Sequence, residues 1–491
     1  MSATAAEGIT SRSLRALAWS AGGGAGRALA QLAVQVTLAR LLDPVVFGQY
    51  AAVFVVIGFG YILADGGFGS ALMQKRDLTD DDVAQALGWC LLLGVTVALV
   101  VAAASPFLAT QFGDPALTPV FRVCAVWVPL LALANIPTSL LRRDLHLKAT
   151  QIIQLVGYTV GFGGVAAACA LNGLGVWSLV AGFFAQTLFT LVATFLVRRH
   201  ALRARLRGDW RLVTFGAKSL ATDVAGWSMD NLDRVLVGML WGMHPLGLYS
   251  VSYNLSKAPI GFFMAATQGV AFAAAARLQD DLTDLREKFR HSLTAMCFLT
   301  IPPFTLVALE SSAVLGLVYG DKWLSAAPYM SALAAAIPCI AIGMLTGGVL
   351  RGLGHVGQQL RIQMIAVAVL IGGFVLLRDM PLSVAVWLVP ATYLLRLALL
   401  LLAVCVRIGL PLRDVGRSAS GAIVLGGLGA AVDIAVGNAL PASGLVAQLV
   451  PLLAGGLAML AVLGVFGRQL LGDRLAAALT GAMKAPVRWL T

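Results

Sequence analysis

The sequence predicts an all-α integral membrane protein of about 14 transmembrane helices, with two pseudo-symmetric six-helix lobes around a central cavity and two additional C-terminal helices. Three observations carry this: the composition, the placement of basic residues, and an internal repeat. Of 491 residues, 59% are hydrophobic and 12% charged, and mean hydropathy is +0.87. Soluble chains carry about twice that share of charge, so polar residues are too few here to cover a soluble core of this length. Disordered, collagen-like and disulfide-scaffold classes fall with the same numbers, and no G-x-x-x-x-G-K-[ST] is present to cradle a nucleotide phosphate.

A hydrocarbon layer of ~30 Å needs roughly 20 apolar residues per crossing, and the runs that meet this can be justified in order by their flanks. The first, 14–38, starts beside Arg12 and Arg15; only Arg40 separates it from 46–73. Lys75 and Arg76 precede 84–110, and an uncharged-by-base turn leads to 117–141. Arg142, Arg143 and Lys148 come next, then 150–171 and 174–197. The stretch 198–211, RRHALRARLRGDWR, opens the second half, which continues through 212–241 and 246–275. Arg277, Arg286, Lys288 and Arg290 surround the start of 289–311; Lys322 precedes 325–350; Arg351 and Arg361 precede 362–377; Arg378 precedes 383–406. Arg407, Arg413 and Arg417 introduce 418–436, and 446–467 is followed by Arg468, Arg474, Lys484 and Arg488.

Basic residues therefore crowd alternate loops. Of 35 Lys and Arg, all but eight fall on one side; Arg40, Lys322 and Arg378 fall on the other, and Arg27, Arg122, Arg234, Lys257 and Arg396 lie inside spans. The positive-inside rule then places both termini in the cytoplasm of a multi-pass bacterial inner-membrane protein. The net charge of +12 needs no nucleic-acid partner. No cleavable signal peptide is expected, because the first span is too long for an h-region. The six cysteines, Cys90, Cys124, Cys169, Cys297, Cys339 and Cys405, all lie in spans without paired spacing, which argues for packing rather than disulfides or metal. No cofactor is implied.

A shift of 199 residues lays Leu41 on Leu240, Gly48 on Gly247 and Tyr50 on Tyr249, so L-x6-G-x-Y closes both the first and the seventh span. Six helices between copies give both halves the same topology, as in transporters built from parallel repeats. The expected organisation is a six-helix lobe at 1–200, a basic linker at 201–211, a second lobe at 212–410, and two helices with a tail at 411–491.

Charge within the bilayer is costly and marks function. Asp223, Trp227, Asp230 and Arg234 recur at intervals of four, three and four on one face of the seventh span, with Asp230 and Arg234 spaced to pair. Under the repeat, Asp230 and Arg234 fall on Gln31 and Gln35, which form with Arg27 an equivalent stripe on the first span. Two readings follow: a structural Arg–Asp network, or two polar faces lining a central cavity. Asp65, followed by Gly66, Gly67 and Gly69, marks a place where a helix can unwind and expose backbone to a cation or proton; an interfacial position is the plainer reading. Arg122 and Arg396, near span ends, are candidate ligands of an anion or simple snorkelling side chains. Lys257, with Tyr253 and Asn254 one turn earlier and Pro259 after it, is a further candidate.

LARLLDPVVFGQYAAVFVV at 38–56, LADGGFGSALMQK at 63–75, LLRRDLHLKA at 140–149, LNGLGVWSLVAG at 171–182 and DNLDRVLVGMLWGMHPLGLYSVSYNLSKAP at 230–259 resemble the polysaccharide transporter family of the multidrug/oligosaccharidyl-lipid/polysaccharide exporter superfamily, in its Wzx-type, colanic acid and xanthan exporter-like branch. The resemblance covers about 10–420 and matches 418–467 poorly. It implies a flippase, not an enzyme, that moves undecaprenyl-diphosphate-linked oligosaccharide units across the cytoplasmic membrane for exopolysaccharide or O-antigen assembly. Membrane lipid, a polysaccharide polymerase and a chain-length regulator are the partners it suggests. On the family pattern Asp65, Asp233 and Gly247 match recurrent positions.

The residue chemistry is compatible with that expectation. Guanidinium and ammonium groups suit a diphosphate; Gln, Asn, Tyr and Trp suit sugars; and Asp65, Asp223, Asp230 and Asp233 are candidates for ion coupling. The alternatives are a drug–cation antiporter of the same superfamily, whose cavity should be dominated by acids, a polysaccharide polymerase or ligase, which should carry a long periplasmic loop, and a structural scaffold of a polysaccharide assembly complex, which would need no buried charges.

Overall fold

The structure, a computed structural model, describes residues 30–471 apart from 76, 145, 200–202 and 440–444. These residues form helices and turns, with no strand among them. In chain order the helices are α1 (30–41), α2 (Pro44–Asp65), α3 (Phe68–Gln74), α4 (Asp80–Gln111), α5 (Leu117–Ala125), α6 (Trp127–Arg143), α7 (Leu147–Tyr158), α8 (Ala167–Leu171) and α9 (Val176–Val197). They continue with α10 (Trp210–Trp241), α11 (Met243–Lys257), α12 (Gly261–Arg277), α13 (Leu282–Leu309), α14 (Ser311–Val318), α15 (Ala327–Gly352), α16 (Val356–Leu376), α17 (Leu382–Ala385), α18 (Leu388–Ile408), α19 (Leu412–Ala439) and α20 (Leu445–Leu471). A π-helix, Thr159–Ala166, joins α7 to α8, and a 3-10 turn, Asp321–Ala326, precedes α15.

Among the described residues ten segments are long and apolar enough to cross a membrane, so the expected total of fourteen is not reached by that criterion. The reasons differ by segment. Most of 14–38 lies outside the described residues. Helix α10 has the length, but five charges between Lys218 and Arg234 lower its hydropathy. The expected span 246–275 is two helices, because the chain turns at Ala258–Ile260 around Pro259, whose ring removes a backbone donor. In α20 the apolar stretch among the described residues is Leu449–Val465, shorter than that criterion asks.

Helix ends follow from local chemistry. Thr79 caps α4 in a capping box with Asp82, and Asp80, Asp81 and Asp82 place negative charge on its first turn. Asp209 caps α10 by accepting from the Arg211 N–H. At the opposite ends, guanidinium groups meet carbonyls: Arg143 donates to Leu72 O at 2.7 Å and to Lys75 O after α3, and Arg286 donates to Ile408 O at 2.8 and 3.0 Å after α18.

By contact density the chain divides into Met1–Val251 and Ser252–Thr491, a division that falls within α11. In the first unit α10 packs on α2 and α3. The stretch before α10 is strapped to α4: the Arg205 N–H donates to Ala84 O at 3.0 Å, and Lys75 Nζ lies 2.7 Å from Asp82 and 2.8 Å from Asp209. In the second unit α15 is the most enclosed span, packed by α12, α13 and α18, and α19 lies along α13 and α20. An apolar cavity of about 540 Å³ opens among α13, α15, α18 and α19, lined by residues such as Leu293, Cys297, Phe304, Ile342 and Leu397.

Candidate functional site

The repeat seen in the sequence is a physical contact. Helices α2 and α11 cross so closely that a Cβ on Gly48 would stand 1.8 Å from Met243 O, and a Cβ on Gly247 would stand 1.8 Å from Pro44 O. Met243 is the 199-residue equivalent of Pro44, and Gly247 of Gly48, so each copy offers its glycine to the other's first-turn carbonyl. Such reciprocity is the signature of a two-fold contact. Next to it lies Asp233, 2% exposed, whose carboxylate accepts from the Tyr249 hydroxyl at 2.5 Å and from the Arg234 N–H at 2.8 Å. Tyr249 is fully buried.

Helix α2 ends where the glycines allow it to. Gly66 and Gly67 adopt φ of +57° and +73°, and the turn starts α3 afresh. A Cβ on Gly67 would lie 2.2 Å from Gly216 O of α10, so the break also lets α10 approach backbone to backbone. Asp65 sits at this turn, where its carboxylate accepts from the Asn135 side chain. Asn135, on α6, gave no sequence signal, because its only mark is proximity across 70 positions.

The other candidates on α10 diverge. Asp223 and Asp230 are exposed and Trp227 and Arg234 half-buried; Trp227 packs on Phe59 with ring centroids 4.9 Å apart and over Gly58. Arg27 lies outside the described residues. On α1, Gln31 is half-buried, and Gln35 presents a buried Nε2 with no hydrogen-bond partner among the described residues. Arg122 is exposed on α5 and donates to the Ser105 hydroxyl at 3.1 Å.

In the second unit, Lys257 donates to the buried Tyr253 hydroxyl at 2.9 Å, with its ammonium 5.1 Å from that ring's centroid, while Asn254 is exposed. Arg396 is half-buried on α18, its guanidinium over Gly343 of α15. Arg351, read from sequence as a loop residue, belongs to the last turn of α15 and sits in the field of Arg396. Among the described residues no group of three or more His, Cys, Asp or Glu could hold a metal ion. In the first unit Asp65 and Trp227 thus stand where α2, α6 and α10 meet, while Gln31, Gln35 and Arg122 lie on α1 and α5; the second unit holds Tyr253, Asn254, Lys257 and Arg396.

Comparison with known proteins gives the same direction. A family model described as "Polysaccharide biosynthesis protein" matches residues 37–328. The teichuronic acid biosynthesis protein TuaB of Bacillus subtilis is 24% identical over 56% of this chain and 58% of its own length. The succinoglycan biosynthesis transport protein ExoT of Rhizobium meliloti is 26% identical over 60% of each. The matched part thus spans about three fifths of these relatives. Among solved structures, the lipid II flippase MurJ in an inward closed conformation superposes with a TM-score of 0.75 at 11% identity, covering 92% of this chain and 99% of that one; at such identity the likeness is one of fold.

Proposed function

Since the chain belongs to the family of polysaccharide biosynthesis proteins, we propose that it is a flippase, not an enzyme, that carries undecaprenyl-diphosphate-linked oligosaccharide units across the bacterial cytoplasmic membrane by alternating access. The observation that carries this reading is α10. It has the length of a crossing, yet Asp223 and Asp230 stand exposed on it beside half-buried Trp227 and Arg234. Charges in that position must meet water, since each costs at least ~2.5–3.5 kcal/mol against lipid. A wetted helix bearing a guanidinium, an indole and carboxylates offers a diphosphate its charge-assisted donors and a sugar its stacking face. The polyprenyl tail meanwhile stays in lipid.

In this reading Arg27, Gln31, Gln35, Trp227, Arg234, Tyr253, Asn254, Lys257, Arg122 and Arg396 contact the head group, and Asp65, Asp223, Asp230 and Asp233 are the groups available for ion coupling. Both termini are cytoplasmic, and a polymerase and chain-length regulator take the product on the far side. The six-helix lobes and linker follow the boundaries set out above. Proteoliposomes carrying a fluorescent lipid-linked oligosaccharide test the reading. Protein-dependent appearance of the glycan in the outer leaflet, lost in Arg27→Ala and Arg234→Ala at equal abundance, is expected. Efflux of cationic drugs with no glycan translocation would replace it by the antiporter reading.

A further inference from the structure

Helix α15 carries two glycine faces that behave differently. On one, Gly348 and Gly352 abut backbone: their Cβ positions fall 2.8 and 2.6 Å from the carbonyls of Gln268 and Phe272 on α12. On the other, Gly343 and Gly347, with Arg351 at the next interval of four, meet side chains rather than backbone at the two glycines, Leu400 Cδ1 being the first atom a Cβ on Gly343 would reach. A Cβ on Gly343 would lie 4.0 Å from Arg396 Nη1, and one on Gly347 would lie 3.1 Å from Gln359 Nε2. The first face is explained by helix packing. The second is cleared for polar side chains from α16 and α18.

Three polar atoms around this face lack a partner among the described residues. Arg351 Nε, Gln359 Oε1 and Thr392 Oγ1 are each buried without a hydrogen-bond partner among the described residues. Thr392 is 3% exposed and lies one turn before Arg396, on its face of α18. Buried polar atoms without partners are rare and costly. The guanidinium of Arg396 acts on Arg351 as a like charge, and an anion at this face would screen it.

We propose that Arg351, Arg396, Thr392 and Gln359, around the Gly343–Gly347 face of α15, bind the phosphate of a lipid head group that carries a neighbouring hydroxyl. The donors fit the phosphate: guanidinium N–H groups and the Thr392 hydroxyl all point to an acceptor-only, anionic ligand. Gln359 Oε1 is an acceptor and needs a donor, which the hydroxyl of an adjoining glycerol or sugar supplies. Two sources share this chemistry, a bulk phospholipid such as phosphatidylglycerol and a polyprenyl-diphospho-sugar. The site itself rests on the membrane location alone; only the second source rests on the flippase reading above.

Native mass spectrometry of the full chain in detergent tests this, with phosphatidylglycerol, phosphatidylcholine and a short-chain polyprenyl-diphospho-sugar as probes. The double variant Arg351→Gln/Arg396→Gln is expected to lose at least about tenfold in affinity for phosphatidylglycerol or the diphospho-sugar. Gln359→Leu should cost several-fold, and Arg407→Gln, whose guanidinium is engaged by His355 and Gln358, should change nothing. Equal affinity for both ligands identifies bulk lipid as the source, and preference for the diphospho-sugar identifies the cargo; either supports the site. Affinity of the double variant within twofold of the wild type, or phosphatidylcholine bound as tightly as phosphatidylglycerol, overturns it. Should the double variant fail to fold, protection of Arg351 and Arg396 from phenylglyoxal by phosphatidylglycerol in the wild type decides, and no protection overturns the proposal. Glycan translocation unaffected by the loss of binding would leave the flippase reading intact, and lost translocation with binding intact would leave the site intact.

Discussion

Adding one methyl group at Gly48 tests the α2–α11 crossing. An alanine Cβ would sit 1.8 Å from Met243 O, and a contact of that kind needs at least about 3 Å, so the two backbones must part by more than an ångström. Overpacking a core typically costs about 1–3 kcal/mol. Here the obstacle is a backbone carbonyl rather than a rotatable side chain, which puts Gly48→Ala at the upper end, about 3 kcal/mol. For a unit of this size that corresponds to roughly 6–10 °C in the unfolding midpoint. Gly247→Ala meets Pro44 O at the same 1.8 Å and should cost as much. The informative variant is the double one, because helices already parted for the first methyl accommodate the second. The two changes should be sub-additive by about 1–3 kcal/mol. Size-exclusion thermal denaturation of purified protein in detergent reads all three variants. A single-variant shift below about 1 °C, or a double-variant loss equal to the sum of the singles, would refute the reciprocal geometry.

Other outcomes follow from the same structure. Tyr249→Phe removes a donor from buried Asp233, so it should destabilise the protein by about 1–3 kcal/mol, read by the same denaturation assay, while Asp233→Asn should be milder. Hydrogen bonds to Asp209 and Asp82 hold Lys75 above the usual lysine range, and the bond from Lys75 holds Asp209 below the usual carboxylate range. The lowered carboxylate stabilises above its unfolded pKa near 4 and loses this as pH falls, and the raised lysine stabilises below its unfolded pKa near 10.4 and loses this as pH rises. Amide exchange at 203–209 should therefore be slow between about pH 4 and pH 10 in the wild type, relative to Lys75→Ala, and the difference should vanish below that window. Cysteines placed at 203 and 284 should resist impermeant thiol reagents in intact cells while those at 114 and 321 react; reversed labelling would invert the orientation. Exchanging Asp230→Arg with Arg234→Asp should restore abundance without glycan translocation, and full recovery of translocation would reduce that stripe to a structural role.

Sequence periodicity was enough to find most spans, because a bilayer imposes length and hydropathy on each crossing separately. It was also enough to find Gly48 and Gly247, since a duplicated backbone contact leaves the same residue at the same offset. The helix break at Gly66 and Gly67 was legible for a similar reason: positive φ selects glycine locally. What stayed hidden depends on neighbours brought in by tertiary packing. Asn135 reaches Asp65, and Tyr249 reaches Asp233. Neither of these pairings has a spacing to read. The division of the second-half span at Pro259 was missed because the apolar run continues on both sides of the turn, and hydropathy does not register a lost backbone donor.

Arg143 and Arg286 have a consequence for how the chain comes to be folded. Each lies at a helix end among basic residues of the kind that bias how a nascent helix enters a bilayer, Arg143 closing α6 and Arg286 in the first turns of α13, and each ends up bonded to carbonyls at the end of a distant helix, α3 or α18. The same side chain thus acts twice in the life of the protein, first as a topological marker read before any tertiary contact exists, then as the closure of a helix laid down far away in the chain. For Arg286 the second role waits on synthesis, because Ile408 is made 122 residues later. A lysine at 286 would preserve the first role, supplying the charge, and weaken the second, having no fork to bridge the carbonyl twice. Orientation and compactness are therefore separable at this one position, with the first fixed while the second is still unwritten.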